Sequence, residues 1–168
     1  FETVSAITTT GSTVLSNLDT MSKGVLFWRA MLQWIGGIGI IVMAIAILPA
    51  LKIGGMRLFK TENSDTSDKI LPRSSRLSSA IGFVYLILTL CTMITYYLAG
   101  MTGFDAVTHA MTTVATGGFA NYDSSFGIYK ESPQIFWFSS FFMMLAAMPF
   151  VLFVSFAKGD KSSLWRDP

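Results

Sequence analysis

Two segments of this chain set hydroxyl side chains directly before a glycine: TVSAITTTGS, residues 3–12, and HAMTTVATGG, residues 109–118. The chemistry open to such a segment is replacement of a cation's water shell. Successive backbone carbonyls aimed at one axis can do this. Threonine suits an extended backbone and adds a hydroxyl oxygen, while glycine permits backbone angles that other residues resist and leaves the axis clear. Placing Gly11 on Gly117, an offset of 106 residues, overlies the two segments. The candidate ion-binding atoms are then the carbonyls of Thr9, Thr10 and Gly11 in one loop and of Ala115, Thr116 and Gly117 in the other. Thr8, Gly118 and Arg29 are candidate supports. Oxygen ligands of this kind suit a hard monovalent cation and offer nothing to a soft metal. One such segment alone reads better as a polar turn outside the membrane; two copies at matching places in a repeat favour a filter.

The elements that must hold these loops follow from composition. Of 168 residues, 52% are apolar and 13% charged, against about 25% charged in an ordinary soluble domain. No acid or base lies between Arg76 and Asp105, or between Glu131 and Lys158. Three stretches reach the roughly 20 apolar residues that a bilayer crossing needs: residues 25–48, ended by Pro49, residues 79–100, and residues 133–157. Pro133 suits the first turn of a helix, whereas Pro149 should kink the third span and leave carbonyls near Leu145 without their usual partners. Residues 104–113 form a helix too short to cross, followed by the second Thr–Gly run at 114–118. A short helix entering and an extended strand returning is a re-entrant loop, tolerated at membrane depth only beside protein or water.

The chain therefore reads as an all-α membrane protein built from repeated helix–pore loop–helix units with short re-entrant pore helices. Residues 1–51 are the end of one unit and residues 79–157 a complete second one. The intervening loop, 52–78, carries six basic residues against three acids, and the tail, 158–168, adds further bases. Basic loops stay inside, which places both in the cytoplasm and both Thr–Gly runs on the outer side. The chain begins at Phe1 within what reads as a pore helix, so it is expected to be an internal piece of a longer polypeptide.

These residues, with LFWRAMLQWIGGIGIIVMAIAILPAL and the GGMRLFK that follows, resemble the TrkH branch of the TrkH/KtrB/HKT superfamily of potassium transporters. The resemblance implies four such units around one pore, a homodimer, and a cytoplasmic nucleotide-binding regulatory partner, TrkA, within reach of the basic loop. It implies K⁺ as the transported ion, since both loops carry glycine where serine in the first is associated with Na⁺. Potassium uptake across the inner (plasma) membrane is the function expected, with K⁺ held only at the filter residues and no organic cofactor. The other reading is a polytopic scaffold or assembly subunit without transport.

The remaining polar residues are few. The spans hold no convergent Asp, Glu, His or Cys, which argues against an intramembrane enzyme. A net charge of +2 without a basic aromatic stripe gives nucleic acid no footing. Arg29 either snorkels to the headgroups or pairs with Glu2 or Asp105 behind the filter. His109 reads as a structural hydrogen-bonding residue ahead of a proton sensor, and Cys91 as a packing residue of the second span. Gln33 and FFMMLAAM read as helix packing, and Gly36, Gly37 and Gly39 as points of close helix approach. Ser139 and Ser140 either bond within their helix or line the pore. Asp19, Asp123 and Glu131 either draw cations to an outer mouth or are solvated loop residues.

Overall fold

The computed structural model describes residues 1–50, 70–150 and 153, with side chains placed for residues 1–39, 79–150 and 153. Most of the basic loop and the 158–168 tail lie outside the described residues. Every regular element among the described residues is helical. In chain order these are α1 (Glu2–Ile7), α2 (Lys23–Ala50), α3 (Ile70–Leu98), α4 (Gly103–Val114) and α5 (Pro133–Ala147). Two 3-10 turns, Leu18–Thr20 and Ser125–Tyr129, close the connections α1–α2 and α4–α5.

Helix lengths differ from the sequence expectation at three ends. α2 runs through Pro49 to Ala50. α3 begins at Ile70, inside the segment expected to be loop; Pro72 falls in its first turn, where no N–H is required. The third span is broken rather than kinked. α5 ends at Ala147, and Met148 is extended at φ −71°, ψ 147°, the region that the ring of Pro149 favours for the residue before it. The Leu145 carbonyl, expected to seek a new partner, accepts the Met148 N–H at 3.2 Å.

Side chains sort these helices by face. On α3 the buried line is Ile81, Tyr85, Thr92 and Tyr96, spaced by about whole turns. The rest of that helix exposes Phe83, Leu86, Ile87, Leu90, Ile94 and Leu98. Ser79–Leu98 is long and apolar enough to cross a membrane, and only 22% of its apolar window is buried, unlike the core helix of a soluble protein. Cys91 lies on the exposed face, not the packed one expected for it. On α2 the inward line is Leu26, Arg29, Ala30, Gln33 and Gly36. Polar residues on a helix that is otherwise apolar all round mark the side turned to protein.

α4 is the most enclosed element, with eight of its twelve residues buried. Thr102 caps it, accepting the Asp105 N–H at 3.2 Å and donating its own hydroxyl to Asp105 Oδ2 at 2.7 Å. The first of these bonds satisfies one open donor of the helix start, and the second fixes the two side chains against each other. α3 and α5 hold α4 through two apolar clusters, one around Ile81, Tyr85, Val114 and Phe150, the other around Tyr96, Met101, Ala110 and Ile135. Trp34 ties α2 to α3: its Nε1 donates to Thr89 Oγ1 at 3.0 Å, and its carbonyl accepts the Tyr85 hydroxyl at 2.9 Å.

Candidate functional site

α1 and α4 each end in a Thr–Gly loop, and the two loops share one backbone. Thr8 follows α1 at φ −78°, ψ 0°, and Ala115 follows α4 at φ −73°, ψ −5°. Thr9 then turns to φ 55° and Thr116 to 52°; Gly11 stands at 75° and Gly118 at 77°, while Thr10 and Gly117 keep negative φ. The hydrogen bonds repeat as well. Thr9, Thr10 and Gly11 donate to Ala6, Ser5 and Ser5 at 2.9, 3.0 and 3.4 Å; Thr116, Gly117 and Gly118 donate to Thr113, Thr112 and Thr112 at 2.9, 3.0 and 3.4 Å.

This fixes the register of the repeat at 107 residues, one more than the sequence alignment placed it. Gly11 corresponds to Gly118, Thr10 to Gly117, Thr9 to Thr116 and Thr8 to Ala115. The alignment on Gly117 matched the first glycine of a pair, and nothing in the letters distinguishes two adjacent glycines. Positive φ does.

The direction of the carbonyls follows. Within a trans planar peptide, N–H and C=O point opposite ways. Three consecutive N–H groups turn back to the preceding helix in each loop, so the carbonyls of Thr8, Thr9 and Thr10, and of Ala115, Thr116 and Gly117, all turn away from it. The row in the second loop comprises the residues expected from sequence. In the first loop Thr8 joins the row and Gly11 becomes its terminating left-handed residue. β-branched residues at positive φ are uncommon, and such strain, about 1–3 kcal/mol each, gathers at ligand clamps. Of the hydroxyls, Thr8 Oγ1 donates back to Val4 O at 2.8 Å and Thr116 Oγ1 to Ala115 O at 2.8 Å.

α2 holds both loops, one turn per level. At the outer level, Arg29 is 5% exposed. Its Nη2 donates to Thr13 Oγ1 at 3.1 Å and its Nη1 to the Ala120 carbonyl at 3.2 Å, residues that correspond in the 107-residue register. Its Nε pairs with Glu2 Oε2 at 3.4 Å, and its guanidinium lies over the Phe119 ring, 4.3 Å from the centroid. Of the roles open to Arg29, the structure takes pairing with Glu2, not with Asp105 and not snorkelling. One level in, Gln33 is fully buried and accepts the Phe119 N–H on Oε1 at 3.1 Å. At the third level Gly36 meets the Ile7 backbone, and Gly37 meets Tyr85 Oη and Ala115. Gly39 faces no described residue within 4 Å of where its Cβ would stand.

Each return segment is pinned by a carboxylate. Glu2 Oε1 accepts the Thr13 hydroxyl and the N–H groups of Val14 (2.7 Å) and Leu15 (3.1 Å). Burial pushes its carboxyl up, but these hydrogen bonds and Arg29 outweigh it and hold the group below its ordinary range. Asp105 accepts Asn121 Nδ2 at 2.8 Å on one oxygen and the Tyr122 hydroxyl at 2.8 Å on the other. It too is raised by burial and lowered further by its donors. Burial and the neighbouring Asp105 push Tyr122 up to about 12, so it remains a donor. His109, fully buried, donates from Nδ1 to the Asp105 carbonyl at 2.9 Å and packs among Tyr122, Phe126 and Tyr129.

The two loops meet. A Cβ on Gly11 would stand 1.8 Å from the Gly117 carbonyl oxygen. An open cleft of about 150 Å³ between them is lined by Gly11, Thr13, Arg29, Gly118, Phe119 and Asp123. Asp123 Oδ1 accepts the Leu18 N–H at 3.1 Å, joining the loops at their rim, while Glu131 is exposed. Ser139 is buried and Ser140 exposed. Sequence reasoning takes Gln33 as helix packing only and gives Phe119, Asn121 and Tyr122 no part. The available signal was the spacing of Arg29 and Gln33, one turn apart in an otherwise apolar run.

Residues 1–166 match the family model described as TrkH, cation transport protein. The chain belongs to the TrkH family. It is 56% identical over 99% of its length to the Trk system potassium uptake protein TrkI of Halomonas elongata, covering 34% of that protein. It is 44% identical over its whole length to TrkH of Vibrio parahaemolyticus, covering 36% of it. The crystal structure of the potassium transporter TrkH from Vibrio parahaemolyticus superimposes with a TM-score of 0.82 at 42% identity, over 99% of this chain and 33% of that one. The chain thus spans about a third of the length of these relatives, and its fold is that of a helical membrane transporter.

Proposed function

We propose that the chain is part of a potassium uptake protein in which the two Thr–Gly loops form half of a backbone-carbonyl selectivity filter. The observation that carries this is the repeated backbone. Two loops related by 107 residues turn three carbonyls each away from their helices and end in left-handed glycines that border one cleft. The relatives' names, which specify potassium uptake, support the choice of ion. A filter of this type uses about four loops around the axis, so the other two belong to the rest of the polypeptide.

On this reading a K⁺ ion exchanges its water for the carbonyls of Thr8, Thr9 and Thr10 and of Ala115, Thr116 and Gly117. α1 and α4 are re-entrant pore helices, α2, α3 and the α5 region are the spans, and the basic segment between α2 and α3 is cytoplasmic. That places the cleft outside, in the inner membrane, and leaves the basic segment to meet a TrkA-like nucleotide-binding subunit. A homodimer of the full-length protein completes the assembly.

The test uses the full-length gene in cells lacking K⁺ uptake. The native protein restores K⁺ influx, and Gly11→Ser and Gly118→Ser each lower its preference for K⁺ over Na⁺. A native protein that inserts yet moves neither ion, with its cytoplasmic partner supplied, overturns transport and leaves the scaffold reading. Restored K⁺ influx with unchanged preference in both variants overturns the filter alone.

A further inference from the structure

Gln33 stands where the two loops, the close contact between them and the helix behind them converge. We propose that it is a positioning residue for ion selection: a single buried amide on α2 that sets the separation of the two Thr–Gly loops and so the preference for K⁺ over Na⁺. The inference rests on the filter reading given above.

Three observations carry it. Gln33 Oε1 accepts the N–H of Phe119, the residue directly after the left-handed Gly118. That bond orients the amide, because an N–H needs an acceptor and only the oxygen can serve. The same side chain closes the space behind Gly117. A Cβ there would stand 2.2 Å from Gln33 Cδ and 2.3 Å from Nε2, so the glycine is needed for the amide to fit. The place a Cβ would take on Gly11 is 3.6 Å from the same Nε2. One planar group thus packs behind Gly117 and bonds Phe119 in the second loop, with Gly11 of the first loop beside it.

The nitrogen adds a further point. Gln33 is 0% exposed, and its Nε2 has no acceptor among the described residues. A buried donor without a partner is a cost that a leucine of similar size would not carry. The amide therefore does something for which apolar volume does not suffice.

The neighbouring levels of α2 explain why Gln33 sets a distance. Gly36 and Gly37 bring the helix against Ile7 and Ala115, where the two loops begin. Arg29 grips Thr13 and Ala120, beyond the two glycines. Both ends of each carbonyl row are thereby referred to one rigid helix, and Gln33 is the contact at the level of the glycines. A cation of smaller radius is selected against only while the carbonyls keep their spacing and number. Removing the strut lets Phe119 and Gly118 move independently of Gly11.

The experiment compares K⁺ and Na⁺ influx for the full-length protein carrying Gln33→Leu or Gln33→Asn, with membrane insertion quantified for each. Leucine keeps the volume and loses the bond to Phe119. Asparagine keeps the chemistry and shortens the reach by one methylene. Both are expected at native levels in the membrane, with the K⁺/Na⁺ ratio reduced about tenfold, the scale of one lost hydrogen bond, while total cation influx persists. A native ratio in either inserted variant overturns the proposal, as does an equal loss of both fluxes or a failure of both variants to insert, since each assigns Gln33 to folding alone. Gly11→Ser and Gly118→Ser run in parallel separate the two readings. If these change the ratio and the Gln33 variants do not, the filter stands and Gln33 is not its strut; if none changes it, the filter reading falls as well.

Discussion

The run WIGGIG on α2 contains three glycines that look alike in sequence and differ in structure. A Cβ on Gly36 would stand 2.1 Å from the Ile7 carbonyl oxygen, 2.8 Å from its carbon and 2.9 Å from its Cα. All three are backbone atoms, so no side-chain rotation relieves the clash. α1 would have to move off α2 by about 1 Å to restore ordinary contact. Overpacking of that kind costs about 1–3 kcal/mol, set against a gain of about 1 kcal/mol for alanine over glycine in a helix. Gly39→Ala meets no described residue and keeps the gain. The two variants should therefore differ by roughly 2 kcal/mol, with Gly39→Ala the more stable and Gly37→Ala between them, since its clash includes the movable Tyr85 hydroxyl. The assay is thermal unfolding of the purified full-length protein in detergent, where a gap of roughly 2 °C is expected for a chain about three times this length. K⁺ and Na⁺ influx is measured alongside, because displacing α1 carries the Thr8–Thr10 carbonyls with it. Equal melting temperatures for Gly36→Ala and Gly39→Ala, with native ion preference in both, would refute the reasoning from close approach.

Arg29→Met should cost about 2 kcal/mol, below the 3–5 kcal/mol of a fully buried pair because Glu2 is partly exposed. In a double-mutant cycle with Glu2→Gln the two losses should be less than additive; strict additivity would show that the pair carries no coupling. The carboxyls of Glu2 and Asp105 both lie below their ordinary values in the folded protein, so the stability they supply is complete above pH about 5 and is lost as pH falls below about 4. Unfolding followed against pH checks this, and Asp105→Asn should flatten the acid limb; a limb of unchanged steepness contradicts the assignment. Pro149→Ala should let helix continue past Ala147 by restoring an N–H and freeing Met148 from its extended conformation. Site-directed spin labels on either side of residue 148 would read the altered angle, and an unchanged distance would place the break in packing rather than in the proline.

Much of this protein was legible before any coordinates. Apolar runs of bilayer length, a clustered charged minority and two Thr–Gly segments in a repeat are properties of local composition, and residues near in sequence decide them. α2, the part of α3 from Ser79, and α4 stand close to where that reasoning set them. α5 stops early because a proline acts on the residue before it, a rule that is local as well but does not by itself separate a bend from a break.

The register of the repeat was a different matter. Whether Gly117 or Gly118 answers to Gly11 depends on which peptide turns left-handed, and that is settled by where the helix end leaves its open carbonyls at Ser5 and Thr112. The partner of Arg29 was equally beyond local reading. Glu2 and Asp105 are both acids near the start of a short helix, and only the packing of α1 and α4 against α2 brings Glu2 to the guanidinium and turns Asp105 to Asn121 and Tyr122. Gln33 is the clearest case. In sequence it is one amide in an apolar span, and its importance comes from Gly117 and Phe119, distant in sequence, that fold back onto it. Composition determined that this chain lives among lipids and that its loops offer oxygens. Tertiary packing decided which oxygens turn outward and what holds them, because those depend on contacts between segments that no local pattern encodes.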